Sequence, residues 1–347
     1  METWRKHLIE NIEATMWRQW AALGAYVTGE ATRGSLVDPE ALVVATFALG
    51  RFNARLFDEA MDWVYVNHRL LKPWRIKNIA REFQESTLRT LGAVVEYLSL
   101  YGDKELFPGI VDQAKSLLSQ VKTEELFRLN GHHFHTSEKS ADPVFLKWGF
   151  LRNQPRIREH SRQPDLENPA NLMLWLRDYY GNGTRADVVT YLLSAGAGSA
   201  YEIASKIKYD RGGVYRALED MVRAGTVNKD VGAESGNYLI DREKMARALG
   251  IKQERPVFFV WGDIYCAFDL VLSDRILRDE TREGGFLSLE RFRDLTAPVV
   301  NLLRNAGDPL SRLKVPDIKK QREQEHRDRL IQYLIEVTDI LKSPDFI

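Results

Sequence analysis

The sequence predicts a mainly α-helical protein of several domains, with one small β-hairpin late in the chain. Apolar residues recur at the three- and four-residue spacing of a buried helix face over most of the 347 residues. Apolar and polar residues alternate around two glycines only in TVNKDVGAESGNYLID, residues 226–241. This pattern is typical of a β-hairpin. The composition, 44% hydrophobic and 28% charged, is that of a soluble globular protein.

The charge balance and the single cysteine limit the partners and the cellular compartment that we expect. Lys plus Arg equals Asp plus Glu, 49 each, so any nucleic acid must be bound by a local patch. Cys266 alone forms neither an internal disulfide nor a thiolate zinc site, which favours a reducing compartment. The charged N-terminus lacks a signal-peptide core. The most apolar segment, 256–272, contains Asp263 and Asp269 and is short for a membrane span. We expect a cytoplasmic protein without membrane contact.

The first part of the chain predicts a helical domain over residues 1–130. Residues 1–23 have the pattern of an amphipathic helix. Further on, Asp38 is placed to cap a helix that begins with Pro39, and Asn53 is placed to cap the next one. A packing or ligand-sensing role fits these helices better than a second nucleic-acid reader.

Three further regions follow in the prediction. Residues 131–165 are rich in Pro, His and Arg and predict a connector. Residues 166–248 predict a compact second domain, and 249–347 a C-terminal helical region. The last predicted helix has an apolar stripe that suits a two-fold interface, and equally suits packing on the protein's own core. That stripe comprises Leu330, Leu334, Val337 and Leu341.

The second domain has a distinctive order of elements. A helix that begins near residue 184 is followed by a helix with Ser199 as N-cap and Glu202 in capping-box position. A third helix, 211–224, comes after a turn of three residues, and the hairpin follows it. Helix, helix, tight turn, helix and hairpin is the layout of a winged helix-turn-helix, whose third helix enters the DNA major groove.

The segment EIASKIKYDRGGVYRALEDMVRAGTV resembles the MarR and ArsR families of bacterial regulators. It has a small residue, Ala204, where two helices cross, and Gly225 at the end of the third helix. Lys208 departs from the pattern, because glycine often fills that turn position. The resemblance implies a winged helix, DNA binding and a homodimeric, effector-responsive repressor. Much of 36–240 also resembles uncharacterised bacterial proteins that carry a late winged helix.

The third helix has two faces with different chemistry. Val214, Leu218 and Met221 form its core face, and the opposite side near the N-terminus offers Arg211, Tyr215 and Arg216. Arginine pairs with guanine, and tyrosine reaches a phosphate or a thymine methyl group. Two glycines would let the helix N-terminus approach a phosphate closely. The predicted DNA contacts are Lys206, Lys208, Tyr209, Arg211, Gly212, Gly213, Tyr215, Arg216 and Lys229.

These observations favour a sequence-specific, double-stranded-DNA-binding transcription regulator, and two-fold operators favour a homodimer. A Gly213→Glu change is then expected to spare the fold and abolish DNA binding. The alternative is a protein-interaction module, such as an antitoxin-like or defence-associated partner of a neighbouring enzyme. It rests on a near balance of charge across 199–230, where six cations face five anions.

Enzymatic motifs are absent from the sequence. It contains no P-loop, dinucleotide fingerprint, metalloprotease helix or nucleophile elbow. The cluster of His132, His133 and His135, near Glu138 and Asp142, invites a metal interpretation. A zinc site needs ligands held by rigid elements, so a polar loop is the simpler interpretation. We predict no enzyme, no metal and no cofactor.

Overall fold

The computed structural model describes residues 3–120, 122–128, 136–230, 236–251, 255–274, 277, 286–316 and 323–343. Its fold class is the predicted one: helices dominate, and a two-stranded antiparallel hairpin forms the wing. The N-terminal helices are α1 (Thr3–Ala22), α2 (Pro39–Leu49), α3 (Ala54–Asn67), α4 (Pro73–Ala80), α5 (Glu85–Tyr101) and α6 (Ile110–Lys115).

Helix α2 is the centre of the N-terminal core. All eleven of its residues are buried, and it contacts α1, α3, α4 and α5. Its start is fixed locally, because Asp38 Oδ1 accepts a hydrogen bond from the Ala41 amide at 3.0 Å. Asn53 caps α3 in the same way, through the Leu56 amide at 3.1 Å. Both predicted caps are confirmed.

The segment expected as a connector is held against α3. It contains α7 (Pro143–Lys147) and β2 (Phe150–Leu151), which pairs in parallel with β1 (Glu124–Glu125). Asp62 Oδ1 accepts the amide hydrogens of Arg158 at 2.7 Å and Glu159 at 2.6 Å. Because a buried carboxylate must be satisfied, these bonds fix the path of the chain toward the second domain.

The part of the chain from residue 172 to residue 249 has the predicted order of elements. Its helices are α8 (Leu172–Tyr180), α9 (Thr184–Ser194), α10 (Ala200–Lys206), α11 (Arg211–Arg223) and α12 (Arg242–Leu249), and its strands are β3 (Asn228–Asp230) and β4 (Asn237–Leu239). Lys229 pairs with Tyr238 across the hairpin. Tyr238 also forms a bridge with Gly198, so the wing is attached to the loop before α10.

The C-terminal helices are α13 (Trp261–Leu272), α14 (Phe286–Asn305) and α15 (Glu323–Leu341). Helix α15 packs on α1 and α14, and α13 packs on α2. No residue of the α15 stripe is more than 3% exposed: Leu330, Leu334, Val337 and Leu341. The stripe therefore packs on the protein's own core and is not available as a two-fold interface. Within the described ranges, no helix combines the length and the apolar character needed to cross a bilayer.

Candidate nucleic-acid interface

Helices α9, α10 and α11 share the predicted core. Each of its five apolar side chains is at most 4% exposed: Ile203, Ile207, Val214, Leu218 and Met221. Ala204, at 2% exposure, is the small residue that lets α10 pack closely. Gly225 follows α11 with φ +68°, a left-handed conformation that favours glycine and ends the helix. The opposite face of α11 is left to solvent.

The turn between α10 and α11 explains the unusual lysine at a position where glycine is common. Lys208 has φ +59°, which costs a residue with a side chain about 1–2 kcal/mol. Its Nζ atom lies 2.6 Å from Asp263 Oδ1 and 2.9 Å from Glu82 Oε2. Burial would lower the pKa of Lys208, but these two carboxylates outweigh it and raise the pKa. The side chain therefore anchors the turn to the helices outside residues 184–243, which we call the body.

Tyr209 points in the same direction. Its side chain is buried, packs edge-on against Trp74 with ring centroids 4.5 Å apart, and donates its hydroxyl hydrogen to Asp187. The Lys72 ammonium donates to the same hydroxyl oxygen at 2.5 Å. Lys208 and Tyr209, which were predicted to contact phosphate, thus have their polar groups bound within the protein.

A buried ionic network surrounds Tyr209 and joins the winged unit, which comprises α9 to β4, to helices α2, α4 and α8. Arg177 of α8 binds Asp187 of α9 and Glu40 of α2, each at 2.8 Å. Arg75 of α4 binds Glu40 Oε2 at 2.6 Å and the Asp38 carboxylate. The members are Asp38, Glu40, Lys72, Arg75, Arg177, Asp187 and Tyr209. A buried charge without a partner strongly destabilises a folded protein, so each charge of this network needs an opposite charge beside it.

The network shifts the pKa values of its members. Burial would raise the pKa of Asp187, but the Arg177 guanidinium outweighs it and holds that pKa well below its usual range. Burial, with the Arg177 charge, lowers the pKa of Lys72 to about 8. Lys72 is therefore the cation of this network that is easiest to discharge.

The start of α11 accounts for its glycine pair. Asp210 Oδ1 accepts the Gly213 amide hydrogen at 2.7 Å, so the predicted N-cap is confirmed. A β carbon at residue 213 would lie 2.7 Å from Asp210 Oδ2. A side chain at residue 213 would therefore require the Asp210 carboxylate to shift. A Gly213→Glu change would thus shift the capping carboxylate and weaken this cap.

The outer face of α11 carries three exposed side chains on its first two turns. Arg211 and Arg216 are exposed, and Tyr215 is 47% exposed. Among the residues that the structure describes, neither arginine has an ion-pair or hydrogen-bond partner. Arg223, at the far end of the helix, pairs with Asp220. The two uncommitted guanidinium groups therefore lie where a winged helix presents its N-terminal half to DNA.

Lys229 of the wing lies beside this face. Its Nζ atom is 2.7 Å from Glu219 Oε1 and 5.8 Å from the Tyr215 ring centroid. Tyr238 donates its hydroxyl hydrogen to the same Glu219 oxygen at 2.6 Å. The hydrogen bond to Glu219 raises the pKa of Lys229. Lys229, which was predicted to contact phosphate, thus lies next to α11. Its positive charge is partly neutralised by the Glu219 carboxylate. The wing tip, 231–235, lies outside the described residues.

Lys206 belongs to α10 and not to the outer face of α11. It pairs with Glu202 at 3.1 Å and lines a cleft of about 720 Å³ together with Phe258 and Asp308. Five of the nine predicted contacts therefore fall on α11, and Lys229 lies beside them. The five are Arg211, Gly212, Gly213, Tyr215 and Arg216.

Two important carboxylates were not predicted from the sequence. Glu219 links α11 to both wing strands, and its distance in sequence from Lys229 and Tyr238 hid that role. Asp187 stands in a helix segment, 186–193, whose residues are all buried. A charge inside such an apolar run is the signal that a partner must exist.

The metal hypothesis falls largely outside the structure. His132, His133 and His135 are not among the described residues. Within the part of the chain that is described, no three His, Cys, Asp or Glu side chains are grouped so that they could hold a metal ion.

Comparison with known proteins identifies the winged unit. Residues 184–243 match the family model described as sugar-specific transcriptional regulator TrmB. The winged-helix type inferred from the sequence is confirmed, and the match does not point to MarR or ArsR. The match covers 60 of the 347 residues. No curated protein and no solved structure matches the chain. The unit is thus of a kind found in DNA-binding regulators of transcription.

Proposed function

We propose that this chain is a sequence-specific DNA-binding regulator of transcription that reads the major groove with the N-terminal half of α11. Arg211 and Arg216 contact guanine edges, and Tyr215 contacts a phosphate or a thymine methyl group. Lys229 contacts the backbone beside the groove. The first amides of α11, next to Gly212, face a phosphate.

One observation carries this proposal. The two arginines of α11 that lack a described partner lie on the outer face of a helix whose other face fills a winged-helix core. Arg223, at the other end of the same helix, is by contrast paired with Asp220. The TrmB match over 184–243 supports the same function.

We further propose that two copies bind a two-fold operator in the bacterial cytoplasm. Winged helices read DNA in pairs, with recognition helices about one DNA turn apart. A contact surface other than the buried α15 stripe must then hold the copies together.

The test is a gel-shift titration with genomic fragments that include the chain's own promoter. The wild type should select one fragment over competitor DNA at physiological salt. A double Arg211→Ala/Arg216→Ala variant should bind that fragment at least about thirtyfold more weakly, since each bidentate arginine contributes about 1–3 kcal/mol.

Arg223→Ala is the matched control, because it removes a cation from the same helix that is already paired. It should bind within about threefold of the wild type. Circular dichroism checks that both variants remain folded. Equal binding by the wild type and the double variant, or no selected fragment at all, would contradict the proposal.

A protein partner is the second candidate, favoured by one observation. Lys206 and Lys229 are both neutralised by carboxylates of their own unit, which weakens the attraction for phosphate. Co-purification from the native host distinguishes the two. A stoichiometric protein partner and no retained nucleic acid would favour this candidate over DNA binding.

A further inference from the structure

A cavity of about 300 Å³ opens beside α8, away from α11. Four apolar residues are part of its lining: Leu70, Pro164, Leu166 and Leu174. This volume is at the lower end of the range of about 300–1,000 Å³ found for small-molecule sites, which also combine apolar walls with a few polar groups. The cavity therefore fits a small ligand with an apolar part.

Two opposite charges line the same cavity. Arg69 comes from the turn after α3, and Asp178 comes from the last turn of α8. Both are exposed, and within the described ranges neither has an ion-pair or hydrogen-bond partner. Two opposite charges that line one cavity can bind the two ends of a zwitterion.

We propose that this cavity binds a free amino acid with an apolar side chain. The ligand carboxylate pairs with Arg69, its ammonium group pairs with Asp178, and its side chain lies on Leu166 and Leu174. Gln163 and Asn182, also on the wall, supply hydrogen-bonding groups at the rim.

The cavity wall also contains Arg177, whose guanidinium holds Asp187 of the winged unit and Glu40 of the body. A ligand packed against Arg177 would therefore bias the attachment of α9 to the body. This regulatory step rests on the proposed DNA-binding function, whereas ligand binding does not.

The test is calorimetric titration of the full-length protein with L-valine, L-leucine, L-methionine and L-phenylalanine. At least one should bind with a dissociation constant of millimolar or better. N-acetylation and carboxamidation of that amino acid remove one charge each, and each should weaken binding about tenfold or more. Arg69→Gln and Asp178→Asn should have the same effect. Arg223→Gln, a surface change elsewhere, should leave binding unchanged.

Two results would overturn the site. One is the absence of heat with any of the four amino acids at 10 mM, and the other is an affinity that neither Arg69→Gln nor Asp178→Asn changes. Heat with glucose and none with the amino acids would overturn the ligand class. If the amino acid binds and leaves the DNA affinity unchanged, the regulatory step fails. If the wild type binds no DNA, the proposed function fails while calorimetry still reports on the cavity.

Discussion

Arg177 and Asp187 face each other in a bidentate ion pair, with Nε to Oδ1 at 2.8 Å and Nη2 to Oδ2 at 2.9 Å. Their carboxylate and guanidinium are almost completely buried. The pair joins α8 to α9, and through Glu40 it joins both to the central helix α2. The winged unit is therefore fixed to the body by charges that water does not reach.

Removal of the Asp187 carboxylate should destabilise the protein strongly. Asp187→Ala leaves Lys72, Arg75 and Arg177 buried with only two carboxylates of the network. An uncompensated buried charge costs about 3–5 kcal/mol. Urea unfolding followed by circular dichroism should show a loss of that size in the free energy of unfolding.

Asp220→Ala provides the control for this prediction. Asp220 pairs with Arg223 and, more distantly, with Arg185, but its side chain is 45% exposed. Exposed pairs contribute about 0–1 kcal/mol, so this variant should remain close to the wild type. A similar loss in both variants would show that the network does not hold the winged unit.

The single cysteine should be unreactive in the folded protein. Cys266 is 3% exposed, and its thiol donates a hydrogen bond to the Glu82 carbonyl oxygen at 3.0 Å. Burial, with the charge of Asp269, raises the pKa of the thiol to about 12. Because the thiolate is the nucleophile, iodoacetamide at pH 8 should label the native protein only as fast as it unfolds. Mass spectrometry at increasing urea measures this, and fast labelling without urea would contradict it.

The same shift predicts a dependence of stability on pH. The folded thiol keeps its proton up to about pH 12, whereas in the unfolded chain its ordinary pKa is 9.0. The stabilising contribution is therefore complete below about pH 9 and is lost as the pH rises toward 12. Between pH 8 and 10.5, the wild type should lose stability relative to Cys266→Ala. A constant difference between the two proteins would contradict this sign.

Local features of the fold were predictable from the sequence. The caps at Asp38, Asn53, Ser199 and Asp210 all form, because each depends on a side chain and an amide two or three residues away. The core face of α11 follows directly from the spacing of its apolar residues. These signals need no knowledge of distant parts of the chain.

The directions of Lys208 and Tyr209 were not predictable. Both belong to a turn beside the predicted recognition helix, and in sequence they look like its flanking phosphate ligands. Their partners Glu82, Asp187 and Asp263 lie 22 to 126 residues away along the chain. Glu82 and Asp263 reach Lys208 only because the winged unit docks on the rest of the protein, and Asp187 reaches Tyr209 only through the folding of the winged unit itself. The α15 stripe was ambiguous for the same reason, since a pattern does not say which surface covers it.

Glu219 should restrain DNA binding. Its carboxylate holds Lys229 at 2.7 Å, and it adds a negative charge beside the proposed groove contacts. Glu219→Gln keeps an acceptor for the Tyr238 hydroxyl but releases the lysine. The affinity for the selected fragment should rise several-fold, and the slope of log affinity against log salt should steepen by about one phosphate contact. Fluorescence anisotropy at several salt concentrations measures both quantities.

Glu243→Gln is the matched control, because Glu243 pairs with Arg255 outside α11 and the wing. It should change neither the affinity nor the slope. Identical behaviour of the two glutamine variants would mean that Lys229 does not contact phosphate.

The close approach of Asp210 and Gly213 predicts coupled effects on stability. Asp210→Ala alone removes the cap and should cost about 1 kcal/mol. Gly213→Ala alone should give no gain, because its β carbon would displace the capping carboxylate. Once Asp210 is alanine, the same Gly213→Ala change should stabilise the protein by about 0.5–1 kcal/mol, the usual preference of a helix for alanine. Urea unfolding of the four proteins gives the coupling directly. An equal effect of Gly213→Ala in both backgrounds would mean that the glycine is not there to accommodate the cap.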